Sequence, residues 1–568
     1  MRLAVAVLVL ALAGVAGLAW LVLRHSPAPA TTTDVTLGPR ARPQGDLWRS
    51  GVPPIPSLNV FTTRDAVAVR LVLAYTHETL VDRDPWTGEL RAGAARAWRV
   101  DDDGRTWIFD LRDDLRFADG APVTREDVEF TLRAARDPRV EPKSDMSAAL
   151  ASLESAVLRG ERELVLVAKE PDGQLPLRIA AEVRIAQIAF FSAEIRSRAE
   201  DATPWDDAWT QALAEAAWSG PGTGPYAVRR RDDGSPDWSR GEYLDLVANA
   251  HGWQRSARAT SWNLAGFRLL FLPDESARLA ALKRGEIDWF TSTSGEDLAA
   301  LRAGDPLLAR AYRVFAYDPP HMGHLQVVWN CRRPALDKAS VRRALGLLFD
   351  RATICREVFG GAAAITRGWF KPGMPEYPAA EEAPRFSIAE AKALLAAEGF
   401  GPNRVPLRVE VLCASEAQML RRTAELALAS FREAGVELVP VPGDWASVYA
   451  RLTSHDFDGV LMLQYHDPVI DPHDVFARDD NDMGWRNDQA ESLLLAAQRE
   501  PERAARAKLY LEFQDLLAAE QPVTLLVHPL TQVLVHARFQ DAEPGPLGLS
   551  PERFWVAPEE RIAGAAPK

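Results

Sequence analysis

At 568 residues, with 26% charged and 47% hydrophobic residues, the chain is long enough for two or three cores and too apolar to remain disordered. Its 66 lysines and arginines against 79 aspartates and glutamates leave a net charge of −13; no arginine-rich stripe interrupts this balance, which argues against a nucleic-acid partner. The three cysteines, Cys331, Cys355 and Cys413, lack the paired spacing of a zinc or redox motif and read as free core thiols.

Residues Leu3 to Leu23 form an unbroken apolar run between Arg2 and Arg24. It exceeds the apolar region of a usual cleaved signal and approaches the ~20 residues that cross a bilayer as a helix. Residues 1–33 are therefore expected to direct export and to stay as a membrane anchor, with Ala28-Pro29-Ala30 as the competing cleavage site. The stretch from Ser26 to Pro56 is rich in Pro, Thr and Gly and reads as a tether. The body is expected to work outside the cytoplasm.

Alternation from Thr106 to Leu111 puts Trp107, Phe109 and Leu111 on one face of a strand. Thr124 and Asp127 have the spacing of a capping box that opens a helix ending before Pro138. Gly220, Gly222 and Gly224 lack the lysine and the following helix that a phosphate loop needs, and read as a turn feeding a strand. Farther on, a helix is expected from Glu275, stopped at Gly285, then a strand over Ile287–Phe290. Ser340 is the expected cap of a helix that turns Val341, Ala344, Leu345 and Leu348 inward and leaves Arg342 and Arg343 outside. Ser387 and Glu390 predict another capping box, on a helix closed by Gly399.

Strands at Leu407–Cys413, Val436–Val441 and Gly459–Leu463 alternate with helices at Glu416–Ala434 and Trp445–Thr453, which predicts parallel strands with covering helices. Ligands of such sheets sit beyond the carboxyl ends of the strands. The loop leaving the last strand, Gln464-Tyr-His-Asp-Pro-Val-Ile-Asp-Pro-His-Asp474, gathers acceptors and aromatic surface at that position. Two helices follow, near Asp488–Gln498 and Glu502–Ala519, and then Val523–His528 and Thr531–His536, expected as paired strands.

Three stretches resemble one family. Residues 97–112 read Ala-Trp-Arg-Val-Asp-Asp-Asp-Gly-Arg-Thr-Trp-Ile-Phe-Asp-Leu-Arg and continue through Phe117-Ala-Asp-Gly-Ala-Pro-Val-Thr-Arg-Glu-Asp-Val128; the second is Gly222-Thr-Gly-Pro-Tyr226; the third is Trp329-Asn-Cys-Arg-Arg-Pro334 with Val341-Arg-Arg-Ala-Leu345 and Phe349-Asp-Arg351. They are similar to the peptide- and nickel-binding solute receptors of ATP-binding-cassette (ABC) importers, extracellular solute-binding family 5. The resemblance implies an α/β, two-lobed periplasmic-binding-protein fold of the type II, peptide-binding kind, hinged between lobes that close on a ligand. Lobe I would take residues 34–270 with 524–568 returning to it, and lobe II residues 271–523. It implies a monomeric receptor with a membrane permease and cytoplasmic ATPases as partners, and neither cofactor nor catalysis.

In peptide-binding members an aspartate before a Tyr-x-Asp/Glu-Pro turn holds the ligand's α-amine. Here Gln464 stands at that place, before Tyr465, His466 and Asp467, so the carry-over fails at that residue. Asp467, three residues on, is the expected replacement; its plainer use is to shape the turn before Pro468. Asp471 and His473, in Asp-Pro-His, resemble a motif of nickel-chelate receptors, the alternative ligand class. The motif residues Thr223, Tyr226, Trp329 and Asn330 and the aromatic Trp369 and Trp485 complete the expected lining of the cleft. A membrane-anchored sensor built on the same fold is a further alternative. An enzyme is disfavoured because no Gly-x-Ser-x-Gly, His-Glu-x-x-His or phosphate loop occurs.

Overall fold

The computed structural model describes residues 46–561 apart from 259–260, 293–297, 319–321, 380–384, 403, 416, 466–470, 478–479 and 546. The N-terminal apolar run lies outside the described residues, and among them no helix is long and apolar enough to cross a membrane.

Two large sheets organise the described chain. In the first, the strands run in the order Tyr312–Tyr317, Thr531–His536, Trp289–Thr291, Leu47–Val52, Gly266–Phe271, Tyr243–Ala248, Tyr226–Val228. In the second the order is Ala363–Ile365, Val523–Pro529, Met322–Trp329, Gly459–Tyr465, Leu407–Ala414, Val436–Gly443. The three strands expected to be parallel are so: Leu407–Ala414 lies parallel to both Val436–Gly443 and Gly459–Tyr465. Core side chains cover this sheet on both faces. Leu325, Val327 and Trp329 pack with Leu345, Phe349 and Phe431 on one side, and Val328 and Val460 pack with Trp369, Phe476 and Phe513 on the other. Burial on both faces is why its strands read as nearly continuous apolar runs.

A four-stranded antiparallel sheet, Ala95–Val100, Thr106–Leu111, Glu163–Val167, Ser155–Arg159, is attached to the first. Trp107, Phe109 and Leu111 are buried in it as alternation predicts. Next to it Thr124 and Asp127 form the predicted box: the Thr124 amide donates to Asp127 Oδ2 at 2.8 Å and the Asp127 amide to Thr124 Oγ1 at 3.4 Å, opening helix Arg125–Arg136. The glycines of Gly222–Tyr226 serve close backbone approach. A Cβ on Gly222 would stand 2.1 Å from the Thr76 carbonyl oxygen, and one on Gly224 2.3 Å from that of Tyr75.

Three expectations are corrected. Helix Ala339–Gly346 starts from Lys338, not Ser340, whose hydroxyl instead donates to Glu398. Arg342 points inward, 2% exposed, and its guanidinium donates to the carbonyls of Leu336, Glu520 and Gln521, so a cation satisfies carbonyls left over at a helix C-terminus. Val523–Pro529 and Thr531–His536 are not a hairpin: the former pairs with Met322–Trp329 and Ala363–Ile365, the latter with Trp289–Thr291 and Tyr312–Tyr317. The chain therefore passes between the sheets twice, once from Tyr317 to Met322 and once from Pro529 to Thr531. Trp289–Tyr317 stays with the first sheet and Val523–Pro529 with the second.

Candidate functional site

Both crossings and the start of the 464–474 loop share one edge of the second sheet. Tyr465 pairs with Met322, and Leu325 with Val527; the carboxyl ends of Leu407–Ala414 and Val436–Gly443 point to the same edge because those strands are parallel to Gly459–Tyr465. A polar row runs along it. Gln326 Nε2 donates to Gln464 Oε1 at 3.1 Å, and the imidazole Nε2 of His324 lies 3.1 Å from Gln326 Oε1. The His324 ring meets Trp369 edge-on at 4.9 Å, and Trp369 in turn meets Phe476 at 4.8 Å.

At the first crossing Asp318 Oδ1 accepts from Lys371 Nζ at 2.6 Å. Burial outweighs this attraction on both partners: it pushes Asp318 up to about 6 against the pull of Lys371, and it lowers Lys371. His528, on the strand that leads to the second crossing, is fully buried 3.9 Å from Asp318, and burial lowers its imidazole to about 4.

The far end of the loop is held across the sheets. Gln174, from the segment that follows the four-stranded sheet, donates through Nε2 to Asp471 Oδ2 at 3.2 Å and to Tyr510 Oη at 3.0 Å, while the Tyr510 hydroxyl donates to Asp471 Oδ1 at 3.4 Å. Burial raises the Asp471 carboxyl, opposed by the His473 amide that donates to it. Beside Gln174, the Gly173 amide donates to the Gln498 carbonyl at 2.8 Å, and Arg503 bridges Glu89 at 2.7 Å and Glu376 at 2.9 Å. These contacts border a partly open cavity of about 250 Å³ whose walls include Arg83, Trp98, Phe370, Arg506 and Tyr510. A larger groove of about 680 Å³ between helix Arg125–Arg136 and strand Ser155–Arg159 takes no residue from the second sheet's side, so motion of one sheet against the other could not close it.

The structure thus places Gln464 and Trp369 along this edge, through Gln326 and His324, and Asp471 against Gln174 and Tyr510. His466 and Asp467 lie outside the described residues, and of Tyr465 only the backbone pairing is described. His473 opens the short helix His473–Phe476, its Nδ1 3.4 Å from Asp474. The remaining expected residues are placed elsewhere. Trp329 is fully buried with its indole donating to Thr524 Oγ1, and Asn330 donates to the carbonyls of His455 and Phe457. The Trp485 indole donates to Glu520. Tyr226 is buried against Phe267, its hydroxyl donating to the Leu264 carbonyl. Thr223 is buried with its carbonyl accepting from Gln254. Trp329, Asn330, Trp485 and Tyr226 direct their polar groups to the protein itself. Gln174, Tyr510, Lys371 and His528 were missed by sequence reasoning; a signal existed only at Asp172-Gly173, a turn dipeptide.

Residues 89–485 match the model of the family described as bacterial extracellular solute-binding proteins, family 5 Middle. Among curated proteins, the chain is 24% identical to the periplasmic murein peptide-binding protein MppA of Escherichia coli over 65% of this chain and 66% of that one. It is 23% identical to a probable di/tripeptide-binding protein of Pseudomonas aeruginosa over 93% and 95%. Among solved structures, HbpA2 from Haemophilus parasuis superposes with a TM-score of 0.76 at 20% identity, covering 90% of this chain and all of that one. The unliganded open form of MppA superposes at 0.74 and 19%, covering 91% and 98%.

Proposed function

The chain belongs to family 5 of the bacterial extracellular solute-binding proteins, and on that premise we propose that it captures a peptide or peptide-like amine between two lobes and delivers it to an ABC permease. One lobe is residues 46–317 with 531–561, the other residues 322–529, each built on one of the two sheets; the ligand enters between them. The apolar run Leu3–Leu23 is the proposed tether to the membrane. The observation that carries this reading is that strand Gly459–Tyr465 ends at the sheet edge where both crossings lie, and that Asp471 beyond it is held by Gln174 from the opposite lobe. Closure is thereby coupled to the segment that meets the ligand. The peptide-binding names borne by MppA and the Pseudomonas protein favour the same ligand class.

Within the loop, Asp467 is the proposed partner of the ligand's ammonium group, because desolvating that cation in a closed cleft requires a carboxylate. Calorimetry with short peptides and with nickel–histidine, on wild type, Asp467→Ala and His473→Ala, tests this. Asp467→Ala should weaken peptide binding by about 3–5 kcal/mol, the scale for stranding one member of a buried ion pair, and His473→Ala should change it little. Nickel–histidine binding that disappears with His473→Ala, while peptides give no heat, would end the peptide reading.

A further inference from the structure

Three guanidinium groups reach the cavity between the lobes, Arg83 from one side and Arg503 and Arg506 from the other. Arg503 is paired with Glu376 and Glu89. Arg506 is buried, and its Nη1 donates to the carbonyls of Glu500 and Pro501 at 2.7 and 3.2 Å, neutral acceptors that do not cancel its charge. Arg83 donates to the Gly88 carbonyl at 3.1 Å. Gly88 also shows how closely two of these cations converge: a Cβ there would lie 3.6 Å from both Nη atoms of Arg503 and 3.8 Å from Nη2 of Arg83. Of the carboxylates in the wall, Glu376 is buried, Glu89 has a side chain 58% exposed, and Glu502 is exposed. Water therefore screens two of the three negative charges, while Arg506 is buried and Arg83 and Arg503 are half-buried. Burial and the neighbouring Arg503 together lower Arg83 to about 10. A site of this kind is stabilised by one added negative charge.

We propose that the cavity is an anion-recognising compartment of the ligand cleft, in which a carboxylate carried on an apolar group is held among Arg83, Arg503 and Arg506 while that group lies on Trp98, Phe370 and Tyr510. The proposal rests on the two-lobed binding reading above, and it adds a second selected group to the ligand. A monoanion fits better than a phosphate, because Glu376 already faces Arg503 and a dianion would be repelled by it. The volume, about 250 Å³, falls below the ~300–1,000 Å³ of pockets that hold whole small ligands, so it admits one residue-sized end of a longer ligand.

N-acetyl-phenylalanine and N-acetyl-phenylalaninamide probe the compartment alone, since neither carries the amine that Asp467 would bind. In calorimetry on the full chain the acid should bind, and the amide should bind at least about tenfold more weakly. Arg83→Met should erase the difference, and Arg83→Lys should keep a preference for the acid. Phenyl phosphate should bind no better than the acid. Equal response to acid and amide, including none to either, would overturn the proposal, as would a preference unchanged by Arg83→Met or a clear preference for the phosphate. Should Arg83→Met not fold, the wild-type acid and amide comparison decides the matter. Trialanine, titrated in parallel, separates the two claims: trialanine binding with acid and amide alike defeats only this one, and acid preference without trialanine binding defeats only the peptide reading.

Discussion

Glu78 shows how a single carboxyl can organise a motif from beneath. It is buried, and its Oε2 accepts from the Trp253 indole at 2.7 Å, while the neighbouring Gln254 donates to the Thr223 carbonyl of the Gly222–Tyr226 motif. Burial pushes Glu78 up to about 8, against the Trp253 and Gln254 hydrogen bonds that favour its charged form. The folded chain thus holds this proton more tightly than the unfolded one. The associated stability is complete below the ordinary carboxyl range and is lost as the pH rises to about 8. Glu78→Gln should accordingly gain on wild type by up to roughly 1.4 kcal/mol for each pH unit across that interval, and the gain should level off above it. Urea unfolding at about pH 5, 7 and 9 measures the gap; a gap independent of pH would contradict a raised Glu78. Residues such as this were illegible in the sequence, because burial of a glutamate is decided by partners, here Trp253, that lie 175 positions away. Arg342 misled for the same reason: helical periodicity assigns a charged position to solvent, and only the packing of a second helix end against it shows otherwise.

Among the elements, the segment Asp172–Gln174 meets the second sheet's side through the Gly173 amide and the Gln174 side chain. A Cβ on Gly173 would lie 2.4 Å from the Glu500 carbonyl oxygen and 2.5 Å from its carbon, too close for any side chain while the lobes are together. Gly173→Ala should therefore penalise the closed arrangement by about 1–3 kcal/mol, the usual range for overpacking, and weaken peptide binding accordingly, with little change in the cores of either lobe. Gly241→Ala, where nothing lies within 4 Å, serves as the control. Calorimetry on both variants checks this, and equal affinities would show that the contact is not part of the bound state. Local chemistry made many elements readable in advance. Thr124 with Asp127 and the strand-helix alternation from Leu407 to Tyr465 are patterns that neighbouring residues impose. The false hairpin at 523–536 marks the limit, because two alternating strands parted by Pro529 and Leu530 read alike whether the chain turns back or crosses to another sheet.

For the molecule as a whole, the two-lobed family fold was legible because three motif stretches, in the four-stranded sheet and at the two large sheets, carry it, and the family match spans residues 89–485. For the candidate site, sequence reasoning offered a location, the loop after Tyr465, and no constellation: Gln174, Asp471 and Tyr510 meet only through the fold. Under the proposed function, peptide at the 464–474 loop and contact at Gly173 belong to one closed state. Amide hydrogen exchange on the full chain, with and without a pool of short peptides at saturating concentration, tests it most directly. The account predicts that peptide slows exchange both in the loop and at Gly173, whose amide donates to Gln498 across the lobes, together with a rise in stability of ~2.7 kcal/mol at a hundredfold excess over Kd. Exchange at Gly173 and in the loop that is unchanged by peptide would contradict it.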